Sequence, residues 1–175
     1  LYGLKKQLQY YKSKGITGVF LNANGYDYAS FDDLKTYVAA NLMIDTSLSV
    51  DSLCTKFFDK TYPSSGKVLC DYYLSLEKRL EQANKPYNIY GGFEETLNSY
   101  LDLPEFVSFY NSFTSLISNA KEAEKQKLEK LYIALTFTRL QIAYYQHTGE
   151  YGFAIEDGKR LIVKPEINTY LKRLS

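Results

Sequence analysis

The run Asn22-Ala23-Asn24-Gly25-Tyr26-Asp27-Tyr28 gathers residue types suited to binding a polyol. The carboxamides of Asn22 and Asn24 and the carboxylate of Asp27 can hydrogen-bond hydroxyls. The rings of Tyr26 and Tyr28 can stack on the apolar face of a sugar. Asn24-Gly25 is also a turn dipeptide, so the same segment reads as an ordinary turn whose tyrosines cover a core. Asn22, Asn24, Tyr26, Asp27 and Tyr28 are the expected substrate-binding residues if the first reading holds.

Other chemistry-bearing types are sparser. Glycosidase chemistry needs carboxyl groups about 5 to 10 Å apart across a bound sugar. The adjacent pairs Asp32-Asp33 and Glu94-Glu95 point in different directions on a helix. The first pair reads better as acids at a positive helix start and the second as solvated. The only histidine, His147, falls at the expected end of the longest helix, where a cation would complement the dipole. With two cysteines and that one histidine, an ordinary zinc site would have to borrow carboxylates, so no metal is expected. Gly15-Ile16-Thr17-Gly18 lacks a third glycine and precedes an apolar run instead of following it, and Gly91-Gly92 has no Lys-Ser/Thr partner. Neither is a nucleotide loop, and no cofactor is expected. No catalytic residue is nominated. Cys54 and Cys70 lie symmetrically about Tyr62, beside Pro63. In an antiparallel helix pair they can come opposite each other, as a disulfide in an oxidising compartment or as two buried thiols.

The elements that would position these groups follow from periodicity. Leu1, Leu4, Leu8 and Tyr11 mark a helix stopped near Gly15. ITGVFLN, residues 16–22, is short, β-branched and apolar and reads as a buried strand, with an extended connection packed on helices as the alternative. Ser30-Phe31-Asp32-Asp33 reads as a helix start resembling a capping box, ahead of Leu34, Tyr37, Val38 and Leu42. Further helices are expected over 51–62, over 67–84 (Leu69, Tyr72, Tyr73, Leu76, Leu80), from Pro104 to about Ser118, over 121–147, and from Pro165 onward. Most tyrosines, among them Tyr37, Tyr72, Tyr73, Tyr132 and Tyr144, are expected at core or boundary positions. The fold class is mainly α: a helical bundle with one N-terminal βα element, with the option that this element is the last unit of an α/β barrel. The division expected is 1–29, the terminal helix, strand and loop of such a barrel, and 30–175, a helical C-terminal domain.

Composition sets outer bounds. The 175 residues carry 21 Lys+Arg against 20 Asp+Glu, a balance that argues against a general nucleic-acid partner. The 18 Tyr and 10 Phe with no Trp are unusual without naming a function. The longest uncharged stretch, Phe106 to Ala120, is too short and polar to span a bilayer, so no membrane span is expected. No signal peptide is visible, and a chain opening on Leu1 reads as processed or as a fragment.

From Gly15 to Tyr73 the residues resemble a family. They are GVFLNANGYDY, then FDDLKTYVAANLMID, then SLSVDSLCTKFFDKTYPSSGKVLCDYY. The family is a bacterial, often gut-bacterial, group of large proteins of unassigned function with a glycoside-hydrolase-like barrel and a helical C-terminal region. Leu34, Tyr37, Leu42, Asp51, Leu53, Phe57, Tyr62 and Tyr73 sit where its pattern places them. The resemblance implies that this chain ends a larger carbohydrate-active protein, supplying the last barrel strand and a helical tail that buttresses the barrel. It also implies export to the periplasm or cell surface. Carbohydrate would then be met through the parent barrel, whose acids lie on earlier strands; Asn22 stands where an acid would be expected. The rival is a non-catalytic helical module that binds a protein partner through exposed tyrosines. Tyr26 and Tyr28 facing a cleft would favour the first, and a broad apolar patch on the helices the second.

Overall fold

The computed structural model describes residues 1–21, 28–84, 91–97 and 99–175. The protein is mainly α, and its described residues contain a single two-stranded sheet. It falls into two compact units, Leu1–Asn84 and Lys85–Ser175. That line differs from the sequence division at 29/30, because the first helix packs on the helices that follow it.

The N-terminal unit holds α1 (Tyr2–Ser13), α2 (Asp32–Ile44), α3 (Val50–Thr61) and α4 (Gly66–Ala83). Ser49 caps α3, its hydroxyl accepting from the Ser52 N–H at 3.3 Å. The start of α2 departs from the capping box expected at Ser30. Phe31 is the N-cap residue and sits in the left-handed region at φ 64. Asp32 then reaches back, its Oδ2 accepting from the Ala29 N–H at 2.6 Å. A left-handed aromatic costs energy. Burial of its ring against Phe58 and Tyr73, with centroids 6.1 and 5.1 Å away, offsets that cost. Leu34, Val38, Leu42, Phe58 and Leu69 are fully buried and form the core. At the α3–α4 corner the backbones nearly touch. A Cβ on Gly66 would lie 2.6 Å from the Phe58 carbonyl oxygen, so only glycine fits.

Residues 16–21 carry no regular secondary structure. The strand expected there is therefore absent over the described part of 16–22, and Asn22 lies outside the described residues. The segment is neither helical nor packed away: Phe20 is 88% exposed, and Ile16, Val19 and Leu21 are exposed too.

The C-terminal unit holds α5 (Phe93–Leu97), α6 (Leu103–Asn119), α7 (Glu122–Gln146), β1 (Ala154–Asp157), β2 (Arg160–Val163) and α8 (Pro165–Leu174). Asp102 caps α6, accepting from the Glu105 N–H at 2.9 Å. Helix α7 packs on both α6 and α8. In the buried layer between them polar groups form a donor chain. Arg173 Nη1 donates to the Tyr110 hydroxyl at 2.5 Å, and that hydroxyl lies 2.9 Å from Thr136 Oγ1. Thr136 donates its own proton to the Tyr132 carbonyl at 2.7 Å, so Tyr110 donates to Thr136. Burial pushes the Tyr110 phenol up to about 12. An unfolded tyrosine ionises near about 10, so the unfolded state loses this proton first. This contribution is whole below about pH 10 and fades as pH climbs toward 12. Alkaline titration of a melting curve should therefore show Tm falling across that window, more steeply in wild type than in Tyr110→Phe.

β1 and β2 form an antiparallel hairpin with Ile155 opposite Ile162 and Asp157 opposite Arg160. Gly158 takes φ 61 at its turn, as a two-residue hairpin connection with glycine first requires.

Candidate functional site

Of the five loop residues expected to contact substrate, Asn22, Asn24, Tyr26 and Asp27 lie outside the described residues. Tyr28 is half-buried. Its phenol is pushed well above the ordinary range, mainly by burial, with Tyr62, Asp33 and Asp32 adding to the effect.

The acid pairs separate by role. Asp32 is a helix-start acid: besides capping Ala29 it receives Lys35 Nζ at 3.2 Å. Glu94 and Glu95 stand in the first turn of the short α5. His147 is the C-cap of α7, as the sequence places it. Its ring lies near those of Tyr144 and Phe153. Among the described residues no three His, Cys, Asp or Glu side chains gather as they would around a metal ion.

Cys54 and Cys70 lie on α3 and α4, both buried, and both are free thiols; of the two alternatives, the structure holds the unbonded one. Burial pushes the Cys54 thiol up to about 12, with Cys70, Glu77 and Asp51 reinforcing it. Cys70 is also raised by burial, while Thr55, whose hydroxyl lies 3.8 Å from the sulfur, acts the other way. Buried, protonated thiols react slowly. Ellman's reagent at pH 8 should therefore find almost no thiol in the native protein and both after unfolding without reductant. Silence in the unfolded chain would mean they are bonded.

Three surface features went unread in the sequence or were misplaced there. Ile16, Val19, Leu8, Tyr11, Met43 and Ile44 line a concavity of 310 Å³ between the ends of α1 and α2. Along α7, Ile133, Phe137 and Tyr144 are exposed, Tyr144 by 63%. That corrects its expected core or boundary position, while Tyr72, Tyr73 and Tyr132 are buried as expected. Spacings of four and seven were the available signal, since they put these three on one helix face opposite the buried Leu128, Leu131, Leu135 and Ile142. The hairpin is the third. Asp157-Gly158 between AIE and KRLIV was its sequence signal.

No protein-family model matches this chain, no curated protein matches its sequence, and no solved structure matches its fold. Among the described residues no helix is long and apolar enough to cross a membrane.

Proposed function

We propose that this chain is the C-terminal helical domain of a larger carbohydrate-active, glycoside-hydrolase-like protein, where it buttresses the barrel rather than performing the chemistry. The observation that carries the reading is the run from Ile16 to Leu21. It is apolar, non-helical, without a ladder partner among the described residues, and exposed at Ile16, Val19, Phe20 and Leu21. Such a segment gains by donating its backbone groups to neighbouring strands and its side chains to a core. The resemblance from Gly15 to Tyr73 supplies the barrel as the neighbour, carbohydrate as the substrate class, and export to the periplasm or cell surface as the setting.

Hydrogen exchange tests it. In the complete parent the amides of Thr17 to Leu21 should exchange about a hundredfold more slowly than in this chain alone. Equal, fast exchange in both removes the strand role. The sugar-contacting role of the loop is tested by titrating oligosaccharides against the parent and its Tyr26→Ala/Tyr28→Ala variant. Equal affinity rejects it.

A second reading, a non-catalytic helical module that binds a protein, is favoured by the exposed face Ile133, Phe137 and Tyr144 of α7. Partner-dependent protection of that face, with none at 17–21, would support it over the first.

A further inference from the structure

The hairpin's register fixes which of its backbone groups face outward. Lys164 N–H donates to the Phe153 carbonyl at 2.9 Å, so residues 153 and 164 form a hydrogen-bonded pair. The alternation of an antiparallel ladder then turns Ile162 and Arg160 toward β1, and turns the N–H and C=O groups of Leu161 and Val163 away from it. The opposite edge is already partly engaged, since Ala154 N–H donates to the His147 carbonyl at 3.1 Å. The β2 edge is open among the described residues, and its side chains are exposed: Leu161 by 61%, Ile162 by 45% and Val163 by 50%. A two-stranded hairpin with an apolar exposed face is marginal alone and gains from a third strand.

Charge decides what that strand is. β2 begins with Arg160, preceded by Lys159 in the turn, and ends before Lys164. Lys164 Nζ is engaged by the carbonyls of Gly149 and Glu150 at 3.1 and 2.9 Å. Among the described residues Asp157 stands opposite Arg160 in the ladder but makes no ion pair with it, so Lys159 and Arg160 at the β2 start are the cations placed to meet a ligand. A second copy fits poorly. Antiparallel pairing through Leu161 and Val163 at full overlap sets Arg160 opposite Lys164 of the other copy, twice, and like charges directly opposite destabilise a sheet. An antiparallel strand whose C-terminal end is acidic places its carboxylates beside Lys159 and Arg160 and its apolar residues beside Ile162. We infer that the β2 edge is a docking site for an extended apolar segment of another protein that ends in acidic residues, held by β-augmentation.

The probe is a fluorescein-labelled, alternating Thr–Val octapeptide ending in two aspartates, titrated against the full chain by anisotropy. Saturable binding is expected, weakened about tenfold when the aspartates are replaced by lysines and severalfold by raising salt from about 50 to 500 mM. Val163→Pro removes an outward N–H and leaves the ladder N–H groups of Ile162 and Lys164 in place, and proline is tolerated on an edge. Binding should fall at least about tenfold in that variant with unchanged circular dichroism. Lys159→Glu/Arg160→Glu, which touches no backbone group, should reverse the peptide preference. No binding by wild type, unchanged binding by a folded Val163→Pro, or equal affinity for the aspartate and lysine peptides would each overturn the proposal. So would sedimentation showing self-association that Val163→Pro abolishes, which would make a second copy the occupant. If Val163→Pro fails to fold, the charge-reversal variant decides the matter, and an unreversed peptide preference overturns the proposal.

Discussion

Replacing Phe58 by alanine should cost the N-terminal unit about 3–5 kcal/mol of stability. Phe58 is completely buried on α3, and its ring meets those of Phe31, Phe57 and Tyr62 at centroid distances of 6.1, 5.5 and 6.0 Å. Truncation removes the transfer free energy of the ring and leaves a cavity that cannot easily collapse. On one side the Gly66 backbone is locked against the Phe58 carbonyl. On another, Phe31 stands in its left-handed conformation because its ring packs here. Without Phe58, Phe31 loses part of the contact that offsets its strain, so the loss should fall at the upper end of the range. Phe57→Ala, at a half-buried neighbour, should cost clearly less. Urea unfolding followed by tyrosine fluorescence measures both. Equal midpoints for the two variants would contradict the packing assigned here.

Gly152→Ala should destabilise the C-terminal unit by about 3 kcal/mol, the upper part of the usual overpacking range. A Cβ there would meet the His147 carbonyl oxygen at 2.1 Å, its carbon at 2.5 Å and the Gln146 oxygen at 2.9 Å. All three are backbone atoms, so no side chain can swing aside. The same His147 oxygen accepts the Ala154 N–H, so making room breaks the bond that ties β1 to the end of α7. His147 is itself already at positive φ, 47°, which leaves the turn little freedom to adjust. Two other glycines calibrate the result. Gly158→Ala has open space and only its φ of 61 to oppose it, so about 1 kcal/mol is expected. Gly3→Ala, in α1 with nothing within 4 Å, should stabilise by up to about 1 kcal/mol. Thermal melts rank the three, and loss of Ala154 amide protection in Gly152→Ala identifies the cause. A Gly152→Ala protein as stable as wild type would refute the close approach.

The helices were legible because each carries a strong local period or punctuation. Pro104 and Pro165 sit in the first turns of α6 and α8, and the α3–α4 pair follows the symmetry that Cys54 and Cys70 suggested. What was not legible depended on contacts distant in sequence. Ser30 looked like a cap, but burial of Phe31 moved the helix start to Asp32. ITGVFLN has strand composition, yet composition cannot supply the neighbour a ladder requires, and residues 16–21 remain outside any element. Tyr144 was misplaced although the period was informative: it falls with Ile133 and Phe137 on the face opposite the stripe Leu128, Leu131, Leu135 and Ile142, and that stripe is the side α7 buries. Of the candidate site, only Tyr28 lies among the described residues, and it is half-buried, a property that the loop's own sequence does not set.

The last helix is fastened by cations resting on rings. The Arg173 guanidinium lies 3.9 Å from the Tyr132 ring centroid, and that of Arg139 lies 5.2 Å from Tyr170 while its Nη1 donates to the Tyr151 carbonyl at 2.9 Å. None of these partners is a carboxylate, so the two arginines hold α8 through ring faces and neutral oxygens rather than through ion pairs. Added salt that weakens carboxylate-based attachments should therefore leave α8 seated where ion-paired helices would begin to fray.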